Sequence, residues 1–329
     1  MATAGCGSVS DSVRGYPLRA FVICLIAYTT AQMDLALFGY AVPAIRGEFG
    51  LTLSEVMAIV SAAFLLGGAL LVVLGWLADR VGRLPLFQFS LLGSSFLVAL
   101  ISIAPGVATL TALRGASIAV GGLSYPITGA IITEEMPARL RGLFMGLLQI
   151  GYPLGWALAS LWSMWLLTEY GWRQLFWVGL VSLPMVWVVR RYLREPPRSV
   201  AARSTEPPPR FSDLFATGIR ERAITLFIAQ FLFVWAYAAS IFLFPSFLRE
   251  VRALDAFNFS LLIGAGNAIG VLGYGLAAWI GERVWTRRNT VVLWTLLGAF
   301  LFQALVWVPT IFGQILFVYA LMSMFFYGS

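Results

Sequence analysis

The feature that most constrains the fold is a series of long apolar segments with few charged residues inside them. Ten such segments follow one another along the 329-residue chain. They are predicted at 18–43, 54–78, 85–104, 107–133, 142–166, 172–193, 223–248, 259–281, 289–308 and 312–327. A helix of about 20 apolar residues crosses a bilayer, whereas the strands of a membrane barrel alternate in polarity. We therefore expect an all-α membrane protein with about ten transmembrane helices.

The composition agrees with a membrane protein and argues against several other classes. Apolar residues make up 60% of the chain and charged residues 11%, while soluble proteins average about 25% charged residues. Two cysteines are too few for a disulfide framework, and the absence of histidine removes a common proton relay and metal ligand. The sequence contains no phosphate-binding loop, nucleophile elbow or zinc-binding helix motif. We therefore expect neither an enzyme nor a cofactor or metal site.

The net charge of +7 follows from the way arginine is distributed between the loops. All 22 basic residues are Arg, and 17 of them lie at the amino terminus or in every second connection from it. Four lie in the other connections, and Arg114 lies within a segment. Basic residues concentrate on the cytoplasmic side of membrane proteins, and the absence of Lys hints at a GC-rich bacterial genome. We expect a bacterial inner membrane protein with both termini in the cytoplasm and no nucleic-acid partner.

A polar linker divides the segments into two groups. Residues 194–222 contain two proline runs among charged residues, which excludes a buried helix. We predict a six-helix bundle at 1–193, a cytoplasmic linker at 194–222 and a four-helix bundle at 223–329. Weak contact with anionic lipid is a further role for the basic linker.

Three charged elements lie at the ends of apolar segments, and two of them form an internal repeat. The first element is Gly75-Trp76-Leu77-Ala78-Asp79-Arg80-Val81-Gly82-Arg83, between the second and third segments. A partial repeat of this element in the second group consists of Gly273, Ala277, Gly281-Glu282-Arg283 and Arg287-Arg288. The third element is Glu134-Glu135-Met136-Pro137-Ala138-Arg139-Leu140-Arg141-Gly142, after the fourth segment.

These elements resemble motifs of the major facilitator superfamily of secondary transporters. Arg114 followed by Gly121-Gly122 is similar to the family's pattern in the fourth helix, and the third element is similar to one common in sugar and organic-acid porters. The resemblance implies two six-helix halves, each built from inverted repeats. Because four predicted helices follow the linker, we expect a six-plus-four bundle that lacks the last two of twelve helices. A complete ten-helix protein is the alternative.

The resemblance also implies a conformational gating motif, in which loop charges latch the two halves in the outward-facing state. Its residues are Gly75, Asp79, Arg80, Gly82, Arg83, Glu134, Arg141 and Gly142. A few charge-assisted hydrogen bonds made in one state bias a two-state equilibrium by a few kcal/mol. The alternative is a solvated turn whose Arg residues only fix the topology.

Two charged residues, Asp34 and Arg114, lie inside apolar segments. An ionised side chain in hydrocarbon costs at least about 2.5–3.5 kcal/mol, so each is expected to face a cavity and to have a partner. Thr29, Thr30 and Gln32 precede Asp34 and suggest a wet face. Asp34 is the best candidate for proton coupling, because a dry site favours the protonated carboxyl group and a nearby Arg favours the ionised one. Alternatively, Asp34 is a structural hydrogen-bond partner that never titrates.

Arg114 has three possible roles. The resemblance suggests that it pairs with Asp34 in proton coupling. It can also bind a substrate carboxylate directly, because a guanidinium group holds a carboxylate in bidentate fashion. Otherwise it lies closer to the membrane surface than its segment suggests and snorkels to the interface.

Polar and aromatic side chains inside apolar segments are the other candidates for a substrate cavity. With Arg114, the main candidates are Gln32, Gln149, Tyr152, Trp156, Gln230, Tyr237 and Asn267; Trp235 and Gln303 are further candidates. Most aromatic residues in membrane proteins face lipid or the interface, and buried amides often bond another helix. Gly151 and Gly155 are small residues that allow a neighbouring helix to approach closely.

These features predict a secondary transporter that moves a small organic solute together with a proton by alternating access. The resemblance to acid–proton symporters favours a carboxylate or an aromatic acid as the solute. An efflux antiporter for drugs or metabolites is one alternative, and a non-transporting membrane sensor or degenerate scaffold is another. Proton-driven flux distinguishes both transporters from the third class, and its direction distinguishes symport from efflux. The expected partners are the lipid bilayer, the solute and the proton.

Overall fold

The structure is a computed structural model that describes residues 15–195, 218, 220–237, 241 and 243–327. Within these ranges the side chains of residues 79, 223, 230, 233–237, 278, 282 and 287 fall outside the description. Most of the predicted linker, residues 196–217, falls outside it as well. All regular secondary structure in the described ranges is helical.

The described residues form fourteen α-helices and two 3₁₀ segments. The helices are α1 Tyr16–Phe49, α2 Leu53–Val81, α3 Arg83–Ile101, α4 Val107–Gly122, α5 Ser124–Glu135, α6 Arg141–Gln149, α7 Gly151–Glu169, α8 Trp172–Leu175, α9 Leu183–Tyr192, α10 Arg220–Tyr237, α11 Phe244–Glu250, α12 Ala256–Arg283, α13 Arg287–Trp307 and α14 Phe312–Tyr327. The 3₁₀ segments are Ala138–Leu140 and Phe176–Ser182.

Eight described helical stretches are long and apolar enough to cross a membrane. They are Tyr16–Phe49, Leu53–Ala78, Arg83–Ile101, Val107–Glu135, Ala138–Glu169, Trp172–Tyr192, Ala256–Gly281 and Arg288–Trp307. α14 is a shorter apolar helix. The seventh predicted segment, 223–248, corresponds to α10 and α11, and residues 238–240 and 242 between them lie outside the description. The prediction of an all-helical membrane protein with about ten helices is confirmed.

Capping residues mark several helix ends. Thr52 and Glu55 form a capping box at the start of α2, so two amides of the first turn are satisfied. The side chains of Asp255 and Thr286 accept hydrogen bonds from the first turns of α12 and α13. Gly50 ends α1 in the left-handed conformation with φ of 63°, where a glycine has no Cβ to clash.

Gly82 forms the whole connection between α2 and α3. Its φ is 118°, which L-residues with a side chain rarely adopt, and its amide donates to the carbonyl of Ala78. The turn between the two helices therefore depends on glycine at this position of the predicted gating motif.

The buried core consists of two clusters towards opposite ends of α1. One cluster contains only residues from helices that precede the linker, such as Cys24 and Phe87. The other begins near Met33 and is shared with later helices, for example through Phe244, Phe259 and Tyr319. Helices before and after the linker thus pack together around the second half of α1, which the arginine distribution predicts to point away from the cytoplasm.

Glycines allow α7 to lie against both α1 and α12. A Cβ atom at Gly155 would lie 2.6 Å from the Cβ of Gln32, and one at Gly151 would lie 2.7 Å from the ring of Tyr28. On the other side, a Cβ at Gly264 of α12 would lie 1.8 Å from the hydroxyl of Ser160. The prediction that Gly151 and Gly155 permit close helix packing is confirmed.

Candidate functional site

Asp34 and Arg114 are both enclosed by protein. Asp34 is 3% exposed and Arg114 is 2% exposed. Arg114 therefore does not snorkel to a membrane surface, which removes the third of its possible roles. Both residues lie in helices that precede the linker, Asp34 in α1 and Arg114 in α4.

The Asp34 carboxylate points towards the third and sixth spans. Its Oδ2 atom accepts a hydrogen bond from the hydroxyl of Ser182 at 3.4 Å. Its Oδ1 atom has no hydrogen-bond partner among the described residues. Ser182 ends the 3₁₀ segment of the sixth span and also hydrogen-bonds Ser95 of α3. The carboxylate is thus held by a single hydroxyl group within a tightly packed part of the bundle.

The Arg114 guanidinium group is held against α1. Its Nη2 atom donates to the carbonyl of Leu35 at 2.9 Å, and its Cζ atom lies 4.6 Å from the centre of the Phe38 ring. Leu35 directly follows Asp34 in α1, although the ion pairs of 4.0 Å or less in the described part of the chain join other residues. The structure therefore brings the two predicted coupling residues together as neighbours.

The polar residues before Asp34 do not all share one face with it, although Thr30, four residues earlier, does. Positions two apart on a helix lie about 200° apart around the axis, so Gln32 and Asp34 point to nearly opposite sides. Gln32 lies beside Gly155 of α7, while Asp34 faces the sixth span. The hydroxyls of Thr29 and Thr30 donate to carbonyl groups of α1 itself. The predicted wet face is therefore divided between two environments.

A group of aromatic side chains lies where α1 and α7 meet α14. The ring centroids of Tyr40 and Trp156 are 5.8 Å apart, those of Tyr152 and Trp156 are 6.4 Å apart, and those of Tyr152 and Tyr327 are 5.6 Å apart. The Tyr40 hydroxyl donates to the carbonyl of Trp156 at 3.3 Å. These four residues are termed the aromatic cluster. It joins helices from before and after the linker.

Asn267 of α12 lies in the same shared core and is fully buried. Its Nδ2 atom donates to the carbonyl of Ile263 at 2.8 Å and to the hydroxyl of Tyr319 at 3.3 Å. The Tyr319 ring in turn stacks on Phe244, with centroids 4.8 Å apart. One end of the Asn267 amide therefore bonds between helices, as sequence reasoning allowed.

Several buried polar atoms have no hydrogen-bond partner among the described residues. They include Gln32 Oε1, Gln149 Oε1, Asn267 Oδ1 and the Tyr327 hydroxyl. A buried polar group without a partner costs about 1–3 kcal/mol. Groups of this kind, next to aromatic rings, can supply hydrogen bonds to a flat polar solute.

The structure does not assign the remaining candidate residues to this group. The side chains of Gln230, Trp235 and Tyr237 lie outside the described part of the chain. Gln303 is exposed on α13. In the described ranges no group of three or more His, Cys, Asp or Glu is arranged to hold a metal ion.

Sequence reasoning missed Tyr40, Tyr319, Tyr327 and Ser182. One signal for two of them was present, because Tyr319 and Tyr327 lie eight residues apart with Ser323 midway. Residues four apart share one face of a helix, so this spacing marks a polar stripe on α14. Tyr40 and Ser182 gave no comparable signal, since single hydroxyl groups are common in membrane helices.

The described side chains of the predicted gating motif contact one another or residues close to them in the sequence. Arg83 forms an ion pair with Glu134, which joins the start of α3 to the end of α5. The Arg80 guanidinium carbon lies 3.7 Å from the centre of the Trp76 ring. Arg141 donates to the carbonyl of Met136 at 3.1 Å and so stabilises the turn before α6.

A carboxylate from the start of the linker completes this end of α3. Glu195 accepts hydrogen bonds from the amides of Arg83 and Leu84, both at 2.9 Å. Helix N-termini bind anions because their first amides lack partners. The Asp79 side chain lies outside the description, and no neighbour lies within 4 Å of a Cβ placed at Gly75. The latch between halves stays a prediction.

An ion pair at the C-terminal end of α1 joins the helices before the linker to those after it. Arg46, in the last turn of α1, pairs with Glu250 at the end of α11. Glu48 nearby accepts hydrogen bonds from Arg173 at 2.7 Å and from the Trp172 indole at 2.6 Å. Charged contacts therefore cover the end of the shared core.

Known proteins of similar sequence are membrane transporters. The Major Facilitator Superfamily model matches residues 24–329. A cis,cis-muconate transport protein of Acinetobacter baylyi is 31% identical over 180 residues, which is 54% of this chain and 43% of that protein. A probable 4-methylmuconolactone transporter of Cupriavidus pinatubonensis is 26% identical over 289 residues, which is 84% of this chain and 65% of that protein. The chain spans less than two thirds of the length of either relative.

Solved structures agree on the fold. The xylose transporter XylE from E. coli, in a partially occluded inward open conformation, matches with a TM-score of 0.70 at 17% identity, over 96% of this chain and 85% of that chain. Identity this low shows the fold alone. The family match covers nearly the whole chain, and the helices, the glycine turn and the two buried charges agree with it. The chain is a multi-pass membrane protein that belongs to the Major Facilitator Superfamily.

Proposed function

We propose that this chain acts in a secondary transporter that moves a small carboxylate, an aromatic or unsaturated acid, together with a proton. The observation that carries the proposal is the enclosed carboxylate of Asp34 beside the charge of Arg114. The names of the two relatives, which concern muconate and a muconolactone, support this class of solute.

The proton step follows from the burial of Asp34. In an enclosed site an ionised carboxylate needs compensation by an opposite charge or by hydrogen bonds. Arg114 supplies charge and Ser182 supplies one hydrogen bond. A movement of α4 relative to α1 that weakens the influence of Arg114 favours proton uptake, and the reverse movement favours release. We assign Arg114 to coupling, because it contacts Leu35 and Phe38 beside Asp34.

The aromatic cluster is the proposed solute site. Its rings come from α1 and α7 before the linker and from α14 after it, so relative movement of the two groups changes its shape. Flat, apolar rings suit a conjugated or aromatic acid. The unpartnered amide oxygens of Gln32, Gln149 and Asn267 can each accept a hydrogen bond from a hydroxyl or protonated carboxyl group of the solute, and the Tyr327 hydroxyl can donate one to a carboxylate. Alternating access then opens this site to one side of the membrane at a time.

The proposal includes the domain division and the orientation. Residues 1–193 form the first bundle, 194–222 the cytoplasmic linker and 223–329 the second bundle, with both termini in the cytoplasm. With this orientation, the shared core and the Arg46–Glu250 ion pair lie on the outer side. The conformation described here is then closed to the outside.

Uptake into proteoliposomes tests the proposal. Labelled cis,cis-muconate, 4-methylmuconolactone and, as a sugar control, xylose are presented with and without an acid-outside gradient. We expect gradient-driven accumulation of an acid and none of xylose, with accumulation lost in Asp34→Asn and retained in Glu48→Gln, a carboxylate at the outer end of α1. Accumulation by Asp34→Asn against a gradient contradicts the coupling role. Flux driven outward by proton entry, with no acid uptake, indicates efflux instead.

A further inference from the structure

We propose that Ser182 and Ser95 form a hydroxyl switch that reads the protonation state of Asp34 and transmits it to the sixth span. This inference rests on the proposed proton coupling and extends it by naming two positioning residues. It starts from the observation that the Asp34 carboxylate is held by Ser182, which is itself bonded to Ser95.

The two serines make more contacts than their protons can serve at once. The Ser182 hydroxyl lies 3.4 Å from Asp34 Oδ2, 2.6 Å from the carbonyl of Gly179 and within hydrogen-bond distance of Ser95 Oγ. The Ser95 hydroxyl also lies 2.6 Å from the carbonyl of Leu91. Both serines are buried, with exposures of 1% and 0%. Two hydroxyl protons are therefore shared among four contacts.

Each protonation state of Asp34 selects a different arrangement of these protons. When Asp34 is ionised it only accepts, so Ser95 donates to Ser182 and Ser182 donates to Asp34. When Asp34 is protonated its O–H donates to Ser182, and the serines donate to the carbonyls of Gly179 and Leu91. The serines neither gain nor lose a proton in this exchange, since the transported proton resides on Asp34 alone.

The sixth span is placed to respond to this change. Gly179 and Ser182 both lie in the 3₁₀ segment Phe176–Ser182, and their hydrogen bond links residues three apart. A stretch of 3₁₀ structure inside a long helix often marks a hinge. A Cβ at Gly179 would lie 2.7 Å from the side chain of Val98, so the segment packs directly on α3. Protonation of Asp34 thus adds a bond that supports the 3₁₀ turn, and ionisation withdraws it.

The switch operates beside one charged group. Among the described residues of the helices packed around Asp34, Arg114 of α4 acts on it through charge, while α3 and the sixth span present the two serine hydroxyls. Replacing a serine therefore changes hydrogen bonding to Asp34 without changing any charge. The effects of the serines and of Arg114 can be separated by mutation.

The pH profile of acid uptake by the full chain tests the switch. In Ser182→Ala the ionised carboxylate loses its hydroxyl donor, so Asp34 holds its proton to higher pH. We expect the midpoint of uptake to move to higher pH by about half to one unit, the equivalent of one net hydrogen bond. Ser182→Thr keeps a hydroxyl and restores the profile, and Ser95→Ala gives a smaller shift in the same direction.

Ser90→Ala is the matched control on α3. Ser90 is fully buried and forms a similar pair with Ser124 at 3.0 Å, while it also donates to the carbonyl of Val120 at 2.6 Å. This pair does not contact Asp34. We expect an unchanged pH profile, because loss of a buried serine hydroxyl alone does not alter proton binding at Asp34.

Infrared spectroscopy of the purified full chain gives a second reading that needs no transport. The carboxyl band absent from Asp34→Asn is assigned to Asp34 and titrated in the wild type and in Ser182→Ala. We expect a shifted band and a higher titration midpoint in the variant. A band and a midpoint equal to those of the wild type overturn the switch while leaving proton coupling intact. If the wild-type band does not titrate and uptake ignores pH, the proposed coupling fails and the switch fails with it.

Discussion

The position of Arg114 in the sequence leaves two possible roles open. A guanidinium group that acts on Asp34 affects proton binding, whereas one that grips the solute affects solute affinity. Its contacts with Leu35 and Phe38 place it beside the carboxylate and favour the first explanation. Kinetic measurements distinguish the two, because pH dependence and KM report different steps.

Arg114→Gln is expected to move the pH midpoint of uptake upward by about one unit or more, since the ionised carboxylate loses its opposing charge. The KM for the acid changes less than about threefold, because binding of the solute does not depend on this side chain. Arg114→Lys keeps the charge and gives an intermediate profile. A KM raised tenfold with an unchanged pH profile assigns Arg114 to solute binding instead.

Asn267→Ala tests the proposed solute site. We expect KM to rise about five- to tenfold, because the amide oxygen no longer accepts a hydrogen bond from a hydroxyl or protonated carboxyl group of the solute, with the pH profile unchanged. Gln303→Ala is the matched control, because Gln303 carries the same kind of side-chain amide on an exposed position of α13. Equal KM values for the two variants and the wild type remove Asn267 from the site.

The sequence predicted some site residues and not others for a physical reason. Asp34 and Arg114 are visible in one dimension, because a charge inside an apolar segment is costly wherever the helix lies. Tyr40 and Ser182 matter because of the residues that they contact on other helices. Contacts between helices that are distant in the sequence cannot be predicted from local residue spacing. Gln303 shows the converse, since a polar residue in an apolar segment proved to be exposed.

At the level of helices, close packing of α7 on α1 depends on Gly155. A Cβ there would lie 2.6 Å from Gln32 and 2.7 Å from the amide of Met33. Overpacking of this kind costs about 1–3 kcal/mol. We expect Gly155→Ala to lower the thermal stability of the purified protein and to reduce transport. Gly75→Ala, where no atom lies within 4 Å of the new methyl group, is expected to keep wild-type stability; equal stability of both variants contradicts the packing explanation.

The ion pair between α1 and α11 is expected to favour the conformation closed to the outside. Arg46 and Glu250 are partly exposed, so the pair contributes about 0–1 kcal/mol, a shift of up to about fivefold between the two conformations. Glu250→Gln should increase the outward-open fraction by this factor, as measured by spin-label distances between the outer ends of α2 and α13. The charge-swapped double variant Arg46→Glu, Glu250→Arg is expected to restore closure. Identical distance distributions in all variants contradict this role.

The cap on α3 shows what the sequence hides at this scale. Glu195 lies at the start of the linker, yet its carboxylate binds the first amides of α3. Local capping signals such as the box at Thr52 are readable within a few residues. A cap supplied from more than a hundred positions away cannot be read from local sequence. Negative charge at a helix N-terminus is nevertheless a common stabilising feature.

For the whole molecule, the approximate number of membrane helices followed from hydropathy, because bilayer thickness fixes helix length. The conformation did not follow, since it depends on which ends of the helices pack together. In the described residues the shared core lies around the second half of α1, and with the proposed orientation this arrangement is closed to the outside. The proposed transport requires that this closed arrangement alternates with one open to the other side while Asp34 exchanges its proton.

The most direct test of proton coupling measures proton movement caused by the solute. Proteoliposomes carrying the full chain are loaded with a pH-sensitive dye, and cis,cis-muconate is added outside without any initial pH gradient. We predict acidification of the interior with the wild type and with Glu48→Gln, and none with Asp34→Asn, although exchange of labelled muconate continues in that variant. Solute uptake by the wild type without proton entry, or acidification that persists in Asp34→Asn, contradicts coupling through Asp34.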